Sequence, residues 1–240
     1  MYEARMSGPV RVALVGATGL VGRAVIACAS ASYTVRLVGL ARREAPLPPG
    51  ARLEMFVAEP SRWGEVMAAL RPRALICALG TTIKKADGDR AAFRAVDHDL
   101  VRATARAAQA AGVANMVLVS AAGADPGARS FYMRTKGETE AALSTLGFRR
   151  LDILRPGLLR GARVDDPRPA ERAALLAAAL VDPLLSGRWA QFRSIDAALV
   201  AEAALGLALR RAGGRFTHDN EAVRRAAREW RRQAEAGEVA

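Results

Sequence analysis

A doubly wound, mostly parallel α/β sheet is the fold class that this sequence predicts, and three observations predict it. Short apolar runs alternate with helical stretches along the chain, which is the rhythm of βαβ units. The first apolar run leads directly into a glycine-rich turn and then an Ala-rich stretch, as a strand feeding a helix does. The chain has 240 residues, 51% of them hydrophobic, enough for one sizeable core with at most a small appendage.

The elements follow in order. Residues 10–15 (VRVALV) read as the first strand and 20–29 as its helix. Residues 35–40 form a second strand, followed by a Pro-rich loop over 41–50, and 53–57 a third. Ser61 caps a short helix through Ala69. Residues 74–79 are a fourth strand, and 80–88 a polar loop carrying Lys84 and Lys85. One long helix is expected over 89–111, stopped by Gly112. Residues 113–120, 130–146 and 151–155 give a fifth strand, a helix closed by Gly147, and a sixth strand ended by Pro156-Gly157. Beyond that the rhythm loosens. Helices are expected over 170–180 and 196–211, with a short strand near Phe216. A terminal helix presents Val223, Ala226, Ala227 and Trp230 on one face.

Composition narrows the function classes. No apolar run approaches the roughly 20 residues that span a bilayer, and the start lacks an apolar signal core. A soluble, cytoplasmic protein is therefore expected, with no membrane partner. Cys28, Cys77, His98 and His218 show no metal-ligand spacing, so no metal is expected. The two cysteines lie in apolar stretches, as small buried hydrophobes do. A net charge of +12 admits nucleic acid or an anionic membrane as partner. However, 36 basic residues less three lysines leaves 33 arginines, scattered along the chain, with aromatics at 5%. We read them as compositional bias and expect no nucleic-acid platform. Oligomeric state is not legible.

Chemistry begins at Gly16-Ala-Thr-Gly19-Leu-Val-Gly22. Glycines at this spacing allow a tight turn and close approach of a pyrophosphate to a helix N-terminus. Thr18 adds a hydroxyl donor. The preceding strand and following helix are the context that gives this motif its dinucleotide-binding, Rossmann meaning. An acidic residue about 20 positions on would bind the ribose 2′-hydroxyl of NAD. Here no Asp or Glu lies between Arg23 and Arg43, and Arg42-Arg43 stand near that position. A guanidinium pair suits a 2′-phosphate, so NADP(H) is expected, with NAD(H) as the alternative. Ala78-Leu79-Gly80 ends the fourth strand with small residues that would let a ribose approach.

Tyr132-Met-Arg-Thr-Lys136 has Y-x-x-x-K spacing on an expected helix. Positions i and i+4 share a face. An ammonium there favours the phenolate form of tyrosine, an otherwise poor base with a pKa near 10. Such a tyrosine trades a proton with a substrate oxygen while hydride moves to or from nicotinamide. Ser120, ending the fifth strand, is a candidate for holding that oxygen. With three lysines in the chain, one at this spacing stands out against an arginine background.

With these motifs in this order, the chain resembles the short-chain dehydrogenase/reductase superfamily. The likeness is to its atypical branch containing the Tat-interacting oxidoreductase-like proteins. GATGLVGR, CALGTTIKKADG, FRAVDHDLV, LVSAAGAD, YMRTKGETE and LDILRPGLLRG carry it. The resemblance implies cofactor contacts at Gly16, Thr18, Gly19, Leu20, Val21, Arg42, Arg43, Leu79 and Gly80. It implies a catalytic set of Ser120, Tyr132 and Lys136. Lys136 would also hold the nicotinamide ribose, and Pro156 and Gly157 would border the nicotinamide end. Asp97 stands where many superfamily members place an Asn that supports a water relay to the lysine.

The expected organisation is a tail (1–9), an NAD(P)-binding core (10–156) and a C-terminal substrate-side region (157–240) integrated with the core. The expected activity is hydride transfer between NADP(H) and an unidentified small-molecule carbonyl or alcohol. A non-catalytic NADP(H)-binding redox sensor is the alternative. A nucleotide-sugar epimerase is less favoured, because the 84 residues after Pro156 are few for that substrate.

Overall fold

A computed structural model describes residues 8–44, 47, 49–83, 86–161, 182 and 185–235. Strands β1 (Val10–Val15), β2 (Val35–Ala41), β3 (Leu53–Val57), β4 (Ala74–Cys77), β5 (Asn115–Val119), β6 (Arg150–Leu154) and β9 (Gly214–His218) form one sheet. Its order is β3-β2-β1-β4-β5-β6-β9, and every neighbouring pair is parallel. The strand order reverses beside β1, between β2 and β4. This is where open parallel sheets bind ligands at their carboxyl ends. Two-residue strands β7 (Leu159–Arg160) and β8 (Ile195–Asp196) pair separately.

Helices cover both faces, so the central strands read as continuous apolar runs. Strands β4 and β5 are buried at every position. On one face α1 (Leu20–Ser30), α6 (Ala197–Ala208) and α7 (Asn220–Glu235) pack around Val12, Leu14, Ile76, Val117 and Trp230. On the other, α2 (Trp63–Leu70), α4 (Val101–Ala110) and α5 (Phe131–Ser144) pack around Val15, Leu75, Met116 and Ile153. Asp89 starts α3 (Arg90–Arg94) by accepting from the N–H groups of Ala91 and Ala92, a side-chain N-cap.

The expected single helix over 89–111 is interrupted. A π-helical turn, Ala95–Leu100, separates α3 from α4 and buries Asp97 and His98. Such turns insert one residue and re-aim side chains, often at functional sites. Strand β4 stops at Cys77, leaving Ala78, Leu79 and Gly80 outside it. The helix expected over 170–180, and Lys84 and Lys85, lie outside the described residues. The strand expected at Phe216 is β9, which adds the C-terminal part of the chain to the sheet.

Candidate active site

The cleft begins at the glycine turn. Gly16 adopts φ +84°, and a side chain there would put its Cβ 2.4 Å from the Ala78 carbonyl. Close contact between the β1 and β4 ends therefore requires glycine. At Gly22 a Cβ would fall 2.1 Å from the Gly16 carbonyl oxygen, so this glycine lets α1 start hard against the turn. Gly19 differs: the nearest atoms to its Cβ position are 3.4 and 3.9 Å away. Its open side, at the N-cap of α1, leaves room for an anion beside free helix N–H groups. Thr18, Leu20 and Val21 belong to the same turn and first helical residues. Arg42 and Arg43 are exposed just past the carboxyl end of β2, the strand beside β1.

The β4 end connects this turn to the tyrosine and lysine. Gly16 packs on Ala78 and Leu79, and the next residue, Gly80, lies over Lys136: a Cβ on Gly80 would be 3.6 Å from Lys136 Nζ and 3.5 Å from Asp97 Oδ1. Such a Cβ would occupy the space above the ammonium, so the residues present fit a ribose there. Lys136 Nζ lies 2.8 Å from Asp97 Oδ1. Asp97 Oδ2 accepts from the Thr81 N–H at 2.7 Å. The Lys136 ammonium is thus the partner that holds Oδ1 in this buried site. Burial opposes the charge on Lys136. Attraction to Asp97, with a contribution from Tyr132, outweighs it and holds the ammonium above the ordinary lysine value. Beneath it, burial pushes the Cys77 thiol up to about 11, as expected for a packed, inert thiol. Tyr132, one turn from Lys136, packs on Phe93 with ring centroids 5.5 Å apart.

Ser120 is held elsewhere. Its hydroxyl donates to Glu140 Oε1, and Glu140 also pairs with Arg155. Arg155 Nε lies 3.1 Å from both carboxylate oxygens. Glu140 follows Tyr132 by two helical turns, roughly 11–12 Å along the axis. Glu140 and Arg155 were not singled out from the sequence. Spacing at i, i+4 and i+8 places Tyr132, Lys136 and Glu140 on one face, but the partners of Glu140 come from β5 and the end of β6.

Pro156 and Gly157 follow the carboxyl end of β6. The Pro156 carbonyl accepts from the Ala122 N–H at 2.9 Å. A Cβ on Gly157 would fall 2.1 Å from the Arg193 carbonyl oxygen, so the 192–193 segment lies directly on it. Fully buried Asn220 ties both together: Oδ1 accepts from the Gly157 N–H at 3.3 Å, and Nδ2 donates to the Arg193 carbonyl at 2.9 Å. Among the described residues no group of three His, Cys, Asp or Glu side chains could hold a metal ion. No described helix is long and apolar enough to cross a membrane.

Comparison with known proteins agrees with this geometry. A family model described as NAD(P)H-binding matches residues 16–176. The protein named Fmp52, mitochondrial, of Aspergillus clavatus is 38% identical over 222 residues, covering 88% of this chain and 92% of that one. The protein of the same name in Saccharomyces cerevisiae is 36% identical, covering 69% and 72%. Among solved structures, UDP-glucose 4-epimerase from Brucella ovis in complex with NAD superposes with a TM-score of 0.67 at 16% identity, covering 89% of this chain and 80% of that one. The Bordetella bronchiseptica enzyme WbmH in complex with NAD+ gives 0.66 at 14%, covering 88% and 76%. The relatives' names overturn the expectation of a cytoplasmic protein. That expectation rested on a missing apolar signal core, whereas mitochondrial targeting segments are Arg-rich and amphipathic, so the criterion did not bear on mitochondria. With the family model spanning the glycine turn, the Gly80 loop and the Tyr132–Lys136 helix, the chain belongs to the NAD(P)H-binding family.

Proposed function

We propose that the protein is an NADP(H)-dependent oxidoreductase acting on a carbonyl or alcohol. One observation carries this reading. The ammonium of Lys136 is fixed by Asp97 directly beneath Gly80, one helical turn from Tyr132. The proton-handling pair and the cofactor-side loop thus share one cleft.

When bound, the nicotinamide supplies or accepts the hydride. Tyr132 gives its phenolic proton to the substrate oxygen in reduction and takes it back in oxidation. Lys136 orients the ribose hydroxyls from below Gly80 and keeps a positive charge beside Tyr132. Asp97 holds Lys136 in place and ties it to the loop through the Thr81 N–H. Ser120 acts from one layer back, bracing α5 against β5 through Glu140. Arg42 and Arg43 meet the 2′-phosphate. Pro156 and Gly157 close the nicotinamide end. The relatives' names suggest a mitochondrial setting for this activity.

The test is NADPH consumption with a panel of aldehydes and ketones. Wild type turns over at least one of them, and Tyr132→Phe lowers kcat by about 100-fold or more, the usual worth of a positioned acid. Undiminished turnover by that variant would remove Tyr132 from the chemistry.

A further inference from the structure

The amino-terminal rim of the sheet, opposite the cleft, gathers arginines that are far apart in the sequence. Register creates the grouping. Val12, Ala74, Asn115, Arg150 and Gly214 stand side by side across five strands. Arg11, Arg73 and Arg149 each precede one of these residues, and Arg210 and Arg211 lead into the last. The backbone closes the row: Arg73 N–H donates to the Arg11 carbonyl, Asn115 N–H to that of Arg73, and Gly214 N–H to that of Arg149. At about 4.8 Å per strand, the row runs roughly 20 Å.

Part of this clustering serves the fold. All strands are parallel, so the helices return with their carboxyl ends at this rim. Arg11 donates to the Leu70 carbonyl, Arg52 to that of Ser30, and Arg215 to that of Ser144. These cap the ends of α2, α1 and α5. Arg149 and Arg150 donate to the Arg211 and Ala212 carbonyls beyond α6. Cations are favoured at such ends.

Capping leaves Arg71, Arg73 and Arg211 unexplained. Their side chains make no hydrogen bond or ion pair with a described residue. Burial, then repulsion from Arg149 and Arg211, lowers the pKa of Arg73 below its ordinary value. These cations are crowded, and nearby acids do not offset them. Glu54, Asp152 and Glu229 are already held by Arg36, Arg150 and Arg210. Tyr33, 81% exposed, stands in the loop between α1 and β2 at this end, with the Arg52 guanidinium 4.7 Å above its ring.

We propose that this rim is a docking face for a membrane surface rich in anionic phospholipid. The sequence suggested arginines scattered by composition; the folded register concentrates their charge at one end. Lipid fits better than nucleic acid. Most of these guanidinium groups are tied to carbonyl oxygens and do not reach into a groove, as base readers must. A membrane responds to the summed field. An exposed tyrosine among arginines also suits the headgroup layer. Docked by this rim, the protein would turn its cofactor cleft away from the bilayer into water.

The test is co-sedimentation of the full chain with vesicles of phosphatidylcholine alone or mixed with phosphatidylserine. Binding is expected with the mixed vesicles and declines as salt is added. The Arg71→Glu/Arg73→Glu/Arg211→Glu variant should lose at least about 100-fold in partition coefficient, at about fivefold per arginine removed. Its circular dichroism should remain native. If that variant does not fold, Arg71→Glu alone should lose about fivefold by the same reckoning. Arg42→Glu/Arg43→Glu, at the opposite rim, should bind vesicles as wild type does. Equal binding to neutral vesicles, or undiminished binding by the rim variants, would overturn the proposal. So would tighter binding of duplex DNA than of mixed vesicles through the same arginines.

Discussion

The two rims of the sheet face opposite electrostatic demands. At the carboxyl rim each helix begins, so free N–H groups and positive dipole ends collect there. That rim carries Gly16, Gly19 and Gly22, where backbone replaces side chain, and charges that pair in sign: Lys136 with Asp97, Arg155 with Glu140, Arg94 with Glu138. At the amino rim the helices end, and one sign dominates, with Arg73 crowded by Arg149 and Arg211. A single choice of strand direction thus makes one end ready for an anionic cofactor and lets the other accumulate cations. Substitutions at the two ends should differ accordingly.

The largest effect is expected at Lys136. Lys136→Met leaves Asp97, 0% exposed, without its counter-ion. Breaking a buried pair in this way costs about 3–5 kcal/mol, readable as a lowered denaturant midpoint, and hydride transfer should fall with it. Adding Asp97→Asn removes the stranded charge while keeping an acceptor for the Thr81 N–H. The double variant should recover most of the stability and none of the turnover. The pair also has a pH signature. Lys136 binds its proton more tightly folded than unfolded, so its contribution is complete below the ordinary lysine value of 10.5 and is lost as pH rises through the higher folded value. Wild type should show this alkaline loss, and the double variant should lack it.

Next in size are the glycines. Gly22→Ala drives a Cβ to 2.1 Å from the Gly16 carbonyl oxygen, and the overpacking should cost about 1–3 kcal/mol. Gly19→Ala meets nothing closer than 3.4 Å, so its melting temperature should stay near wild type. Its NADPH affinity should drop, because the added methyl fills the space left for the phosphates. Equal destabilisation by both substitutions would remove this distinction between a packing glycine and a binding one.

Features that depend on neighbours in sequence were legible beforehand: the β1–glycine turn–α1 unit, the Y-x-x-x-K spacing and most strands. Features that depend on neighbours across the sheet were not. Glu140 reads as an ordinary helix acid until β5 and β6 bring Ser120 and Arg155 to it. Asp97 sits in a sequence with good helical character, and nothing local signals the π turn that buries it. Arg11, Arg73, Arg149 and Arg211 look scattered along the chain because parallel register, not proximity in sequence, assembles them. What sequence leaves hidden is therefore the long-range polar contacts, which hydrophobic periodicity does not encode.

Arg42 and Arg43 should show a smaller effect, confined to cofactor choice. Arg42→Ala/Arg43→Ala should weaken NADPH binding by about tenfold or more while leaving NADH binding nearly unchanged, since charge-assisted bonds to a phosphate are worth about 1.5–3 kcal/mol. Titration of cofactor fluorescence measures both. Equal weakening of the two cofactors would mean that the pair does not read the 2′-phosphate.

The smallest effect on folding is expected at the opposite rim. Arg73→Met removes a cation that burial and two like charges disfavour, so stability should change by no more than about 0.5 kcal/mol. Its sign should be stabilising at low salt and fade as ionic strength rises and the Debye length shrinks. Thermal melts across a salt series measure this. A large, salt-independent loss would show that Arg73 is a structural member of the rim. The expected outcome separates two sites: at the cleft, the buried Lys136–Asp97 pair is one whose disruption damages the fold, whereas at the amino rim Arg73 keeps its charge where folding gains little from it. That surplus is what an external anionic surface would use.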